Sequence, residues 1–228
     1  MKILAVDTTT RFLCLGIYAH SRICEYVLEL GRKQSALLVP TIKRVLEAAD
    51  LAAGDIDYFA CGLGPGSFTG MRVGLAAIKG FSWALHKPVL SISTLDILAR
   101  NAQDNDAAYI MPAIDAKRGL IYCAIFKNKG GQIKRITPYL LLTEREFLRR
   151  ARPGSAILGD AAGLYKEKFL KNIKGVTILE KDYWYPKARN IIGLALERLK
   201  GKKITDAFRL KPIYLYPKEC QVRRHKAR

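Results

Sequence analysis

Asp7 closes the apolar run Ile3 to Val6 and leads into Thr8, Thr9 and Thr10, while Asp115 closes Tyr109 to Ile114 and leads into Ala116-Lys117-Arg118-Gly119. Between them lies Gly62-Leu63-Gly64-Pro65-Gly66-Ser67-Phe68-Thr69-Gly70. Carboxylates at strand ends suit a metal or a phosphate site. Glycines that reach positive φ at the start of a helix also let free N–H groups point at an anion. Asp7, Gly64, Gly66, Ser67 and Thr69 are therefore candidate contacts for an interfacial nucleotide or phosphate. Each has a plainer use as well: Asp accepts from nearby backbone N–H groups in turns, glycine loops make tight turns, and Ser67 is placed to cap the following helix. No Gly-Lys-Ser/Thr follows, so the loop is not a Walker A loop.

Other catalytic constellations are missing. The three histidines, His20, His86 and His225, are not spaced four apart on a helix, and none accompanies a cysteine. Gly66-Ser67-Phe68 does not make the Gly-x-Ser-x-Gly of a nucleophile elbow. No catalytic residue and no metal site is assigned from these patterns.

The elements that would position these groups follow from periodicity. A strand at Lys2 to Val6 and a returning strand at Phe12 to Ala19 flank the threonine turn. From Gln34 to Ala49, apolar residues recur at helical spacing with Lys43, Arg44 and Glu47 on the other face. Pro40 has no N–H to donate, so this helix is expected to begin near Pro40 or to bend there. Asp57 to Cys61 reads as a buried strand feeding the glycine loop, and Met71 to Leu85 as a helix. Gly70, Gly74, Ala76, Ala77 and Gly80 give that helix a small-residue face suited to close packing. A main association surface is expected there and on the preceding helix, through Leu38, Ile42, Val45, Arg72, Gly74, Leu75 and Ile78.

The second half repeats the opening. A strand from Tyr109 ends at Asp115, a strand Leu120 to Phe126 returns, and Ala156 to Gly159 runs into Asp160-Ala161-Ala162-Gly163. Duplicated lobes with acidic hairpin turns predict an α/β fold of the actin-like ATPase type, called ASKHA, with two mixed sheets flanked by helices. The expected division is a first lobe at 1–103, a second at 104–217 with a last strand at Ile213 to Tyr216, and a basic tail at 218–228.

Half of the residues are hydrophobic, enough for a real core, yet no apolar run is long enough to span a membrane. The five cysteines, Cys14, Cys24, Cys61, Cys123 and Cys220, are scattered without Cys-x-x-Cys pairing, and predict reduced core residues of a cytoplasmic protein. Lys and Arg number 39 against 20 Asp and Glu, a formal charge of +19, which suits a polyanionic partner as well as a solubilising surface. Basic residues cluster at Arg149, Arg150 and Arg152, from Lys166 to Lys174, and from Arg198 to Lys203. Arg223, Arg224, Lys226 and Arg228 have no apolar periodicity to fold around and are expected to touch nucleic-acid phosphates.

Three stretches resemble signature segments of the TsaB family: Ile3 to Thr9, Gly64 to Gly74, and Ser93-Thr94-Leu95. Ala113 to Tyr122 and Pro212 to Leu215 are similar too, so the likeness covers about residues 1–217. The resemblance implies the two-lobed ASKHA fold and a non-catalytic subunit of the machinery that forms N6-threonylcarbamoyladenosine beside the tRNA anticodon. The implied partners are a TsaD-type catalytic subunit, a TsaE-type ATPase, a second copy of the chain when it is alone, and tRNA as shared substrate. No cofactor is required of this subunit, with room for ATP or ADP at the partner interface. The related catalytic subunit holds metal through a His-x-x-x-His pair on its first long helix, where this chain has Gln34, so the transfer chemistry belongs to the partner. Tyr216 is a second departure, where many relatives carry arginine, and the strong basic balance is a third. The alternatives are an ATP-dependent small-molecule kinase, with Asp115 placing a metal, and a peptidase, for which no nucleophile and base are paired.

Overall fold

The computed structural model describes residues 1–29 and 34–217, so the basic tail, including Arg223, Arg224, Lys226 and Arg228, and Cys220 lie outside the described residues. The first half forms a five-stranded sheet in the order β3-β2-β1-β4-β5, from β1 (Ile3–Asp7), β2 (Phe12–Ala19), β3 (Arg22–Glu29), β4 (Tyr58–Gly62) and β5 (Val89–Ile92). β1 pairs antiparallel with β2 and parallel with β4. Alternation along these strands buries both faces. Leu4, Val6, Leu13, Leu15, Phe59 and Cys61 point to one side, where α1 (Gln34–Ala48) and α2 (Phe68–Leu85) supply Leu38, Ile42, Leu75 and Ile78. Ile3, Ala5, Cys14, Ala60 and Leu90 point to the other.

The second half repeats the order. β6 (Tyr109–Lys117), β7 (Leu120–Cys123), β10 (Leu140–Thr143), β11 (Ser155–Leu158) and β12 (Thr177–Ile178) run β10-β7-β6-β11-β12. A hairpin of β8 (Phe126–Lys129) and β9 (Gln132–Arg135) is added through β6. The outer side of this sheet is covered by α4 (Glu144–Arg150), α5 (Asp160–Leu164) and α6 (Lys166–Asn172). The duplication predicted from sequence is thus present in the shared five-strand order, with the β8–β9 hairpin added in the second half only, and the architecture is the two-lobed ASKHA fold.

Between the sheets the helices are exchanged. α3 (Thr94–Arg100) follows β5 but puts Leu95, Leu98 and Ala99 against Ile110 and Ile114 of the second sheet. α7 (Ala188–Lys200) follows the second sheet but puts Ala188, Ile191, Ile192 and Ala195 onto the first. A side chain at Gly16 of β2 would overlap Ala188, which is why α7 can lie so close.

Several boundaries differ from the sequence reading. α1 does not begin near Pro40 but starts at Gln34, where its apolar periodicity starts, and runs helical through Pro40, because the missing N–H leaves only the carbonyl of exposed Ala36 without its helical partner, and water can replace it. The run from Leu120 to Phe126 divides into β7 and β8, which pair with different stretches of β6. Residues 207–217 form no strand. Ala207 and Leu210 join the first core, the Ile213 N–H donates to the Leu63 carbonyl at 2.8 Å, and Leu215 and Tyr216 pack into the second core. This segment is a strap across both lobes. Cys14, Cys61 and Cys123 are buried as expected, whereas Cys24 is exposed, because both faces of edge strand β3 are largely open to solvent.

Candidate functional site between the lobes

Two of the three threonines after Asp7, Thr8 and Thr9, act as lashings, together with Thr94 from the start of α3. The Asp7 carboxylate, 1% exposed, accepts from the Thr9 N–H at 2.8 Å and the Thr9 hydroxyl at 2.7 Å through one oxygen, and from the Thr94 hydroxyl at 2.9 Å through the other. The Thr8 hydroxyl donates to the Gly70 carbonyl at 2.7 Å. The Thr9 carbonyl accepts from the Ser67 N–H at 2.7 Å, and the Gly64 carbonyl from the Thr94 N–H at 2.8 Å. Burial pushes Asp7 above its ordinary carboxylate value, against the hydrogen bonds from Thr9 and Thr94 that favour the charged form.

The glycines answer to this arrangement. A side chain at Gly62 would overlap the Asp7 carboxylate, one at Gly66 the Thr9 carbonyl, and one at Gly74 the Thr8 hydroxyl. Gly64, at φ 92°, sits under Met71 in a conformation that glycine adopts without strain. Ser67 caps α2, its hydroxyl accepting from the Gly70 N–H at 3.2 Å.

Gly66 and Ser67 thereby reach one wall of a cleft of about 720 Å3 between the lobes, whereas Asp7 stays behind that wall. Thr10, Arg11, Phe68 and Met71 complete the wall from the first half. Opposite stand Asp115, Lys117, Arg118, Tyr122 and Asp160, and the strap adds Tyr214, Leu215 and Tyr216. The second lobe mirrors the first imperfectly. Asp115 is half-buried rather than sealed, with one oxygen accepting from the Lys117 N–H at 2.8 Å and the other paired to the Lys117 ammonium at 2.5 Å. Asp160 accepts from the Asp115 N–H at 2.8 Å. Burial raises its pKa; the hydrogen bond from the Asp115 N–H opposes this and the nearby Asp115 charge adds to it. Lys117 thus occupies the carboxylate that the kinase reading assigned to a metal. Among the described residues no three His, Cys, Asp or Glu side chains gather as metal ligands would.

At the rim, Arg72 stacks 3.8 Å over the Phe68 ring and donates to the Tyr214 hydroxyl at 2.9 Å. The Tyr216 hydroxyl donates to the Ala116 carbonyl at 2.8 Å, tying the strap to the β6–β7 turn. Leu38, Ile42, Leu75 and Ile78, placed on an association surface by the sequence reading, are between 0% and 6% exposed inside the first core. Gly74 faces Thr8 of its own chain. Val45 is half-buried and Arg72 exposed. The sequence reading did not assign a role to Thr94, nor to Tyr122, Tyr185 and Tyr214, which line the cleft; no local spacing signals residues that meet only through tertiary packing.

Residues 29–185 match the family described as TsaD: tRNA N6-adenosine threonylcarbamoyltransferase. The chain is 30% identical over 171 residues to the tRNA threonylcarbamoyladenosine biosynthesis protein TsaB of Bacillus subtilis, covering 73% of this chain and 74% of that one. It is 33% identical over 211 residues to the protein of the same name from Buchnera aphidicola subsp. Schizaphis graminum, covering 90% and 98%. Among solved structures, YeaZ from Pseudomonas aeruginosa is 25% identical, covers 93% of this chain and 100% of its own, and superposes with a TM-score of 0.79.

Proposed function

This chain belongs to the TsaB family and is a tRNA threonylcarbamoyladenosine biosynthesis subunit related to TsaD, and from that premise we propose that it supports a TsaD-type subunit and transfers no group itself. The observation that carries this reading is the state of Asp7. Its carboxylate is spent on Thr9 and Thr94 behind the cleft wall, where it organises the glycine loop and cannot meet a substrate.

The partner contact is assigned to the outward parts of α1 and α2. Val39, 50% exposed, borders a groove of about 660 Å3 with Leu46, Leu51 and Phe81, an apolar surface of the kind that binds a partner helix. The same surface serves a homodimer when the chain is alone. ATP or ADP at the junction with the partner would place phosphate at Gly66, Ser67 and Thr69, where α2 begins, with Arg72 beside it. A TsaE-type ATPase completes the assembly, tRNA is its substrate, and its place is the cytoplasm. The basic tail adds phosphate contacts. No helix among the described residues is long and apolar enough to cross a membrane.

The deciding experiment mixes the purified chain with TsaD-type and TsaE-type subunits, unmodified tRNA, ATP and an activated threonylcarbamoyl donor, and scores modified tRNA by mass spectrometry. Product is expected only when the TsaD-type subunit is present, at a level that falls sharply when this chain is omitted. Product from this chain alone would overturn the reading. The isolated chain is also expected to turn over no ATP and to bind no divalent metal tightly; a submicromolar zinc or iron site in calorimetry would falsify that.

A further inference from the structure

The outer helices of the second lobe lie side by side and point the same way. Near their starts Glu144 of α4 pairs with Lys168 of α6 at 2.6 Å. At mid-length Phe147 stacks on Phe169 with ring centroids 4.7 Å apart. Past their ends the Gly154 N–H donates to the Lys174 carbonyl at 2.9 Å, and the Ser155 hydroxyl to the Arg152 carbonyl at 2.5 Å. Both helices therefore finish at one end of the lobe, where β11 and β12 begin. That end is opposite the cleft, which lies beyond the C-terminus of β11 at Asp160.

Five cations converge there: Arg149 and Arg150 from the last turn of α4, Arg152 just after it, Lys171 from the last turn of α6, and Lys174 just after that. All five are exposed, and none makes an ion pair among the described residues. Of the acids on the same helices, Glu144 pairs with Lys168, Glu146 is held in the Thr143 capping box with Arg149 and Arg150 near enough to favour its charged form, and Glu167 stands in the first turn of α6 with no ion pair among the described residues. A helix C-terminus welcomes cations through its dipole, which accounts for Arg149, Arg150 and Lys171 singly. It does not account for Arg152 and Lys174, which lie outside the helices. Nor does it account for two helix ends being brought together so that five exposed cations share one end of the lobe with no ion pair among the described residues.

We propose that this end of the second lobe is an RNA-backbone docking surface, with Arg149, Arg150, Arg152, Lys171 and Lys174 as its phosphate contacts. The partner is the tRNA of the reaction, and that identity rests on the reading of the chain as a subunit of a tRNA-modifying assembly. Phe147 and Phe169 are buried beneath the surface and offer no ring on which a base could stack. The surface positions the nucleic acid without reading sequence.

The test uses fluorescence anisotropy of labelled tRNA against the full-length chain over a salt series. The patch variant R149Q/R150Q/R152Q/K171Q/K174Q is compared with a control that loses the same number of exposed cations elsewhere in the chain, R22Q/K200Q/K202Q/K203Q/K211Q. The patch variant should bind more than about ten-fold more weakly at moderate salt, and its log–log salt slope should be shallower by roughly 0.7 to 0.9 for each engaged cation lost. The control should follow the wild type. Equal weakening of both variants would mean bulk charge attraction and overturn the surface. So would a patch variant with an unchanged slope, including one that instead loses its TsaD-type partner, which would make the patch a protein contact. Circular dichroism checks that both variants fold, and R152Q/K174Q, outside the helices, gives a graded second reading. If the patch binds tRNA but the chain does not support modification in the reconstituted assay, the functional reading fails while the surface stands.

Discussion

Asp7 illustrates how one residue type at one spacing can serve two purposes that sequence alone does not separate. An acid at the end of the first strand, facing a glycine loop, fits phosphate chemistry, and it fits a turn lock equally well. The structure decides for the lock, through three short hydrogen bonds and complete burial. D7A should destabilise the fold by at least about 1 to 3 kcal/mol, since it strands the buried Thr9 and Thr94 donors. D7N keeps the shape and removes the charge. Because burial raises Asp7 above 3.8, the folded chain holds this proton more tightly than the unfolded chain does. Its stability contribution therefore falls as pH rises from 3.8 through the raised value, and is level above it. Urea unfolding of the wild type and D7N across that range should show the wild type losing stability relative to the variant as pH rises. Parallel curves would mean that Asp7 titrates normally.

At the scale of elements, periodicity carried most of the information. β2 was legible to the residue, α1 and α2 to within a turn, and β1, β4 and β11 to within one residue, whereas β3, β5, β9, β10 and β12 were not read as strands. What stayed hidden was the direction in which each small or apolar residue faces, since a helical stripe looks the same whether it covers its own sheet or a partner. The glycines of α2 show the difference. Gly74 meets Thr8, whereas a side chain at Gly80 would meet nothing within 4 Å. G74A should cost about 1 to 3 kcal/mol by pushing Thr8 away from Gly70. G80A should instead stabilise by about 0.5 to 1 kcal/mol through the helix interior. Thermal melts of the two variants should therefore shift in opposite directions. Shifts of the same sign would show that α2 does not lie on the threonine turn.

Across the whole molecule, the sequence division at residue 103 cuts the chain between repeats, but the packing crosses that line twice, through α3 and α7. The exchange also sets an order of events during synthesis. Every strand of the first sheet has been synthesised by residue 92, yet Ile3, Ala5, Cys14, Ala60 and Leu90 have only Ile97 of α3 beside them until Ala188 to Ala195 follow, about a hundred residues later. At about 5 to 20 residues per second, the nascent chain exposes one apolar sheet face for several seconds or longer. A fragment of residues 1–103 should accordingly bind a hydrophobic dye and aggregate, and adding residues 104–217 as a separate chain should rescue it. A soluble, dye-silent fragment would show that the sheet closes on something else. The last long helix is therefore also the moment of release: until it arrives, the chain is a client for whatever shields nascent apolar surface, and afterwards neither half can unfold without uncovering the other.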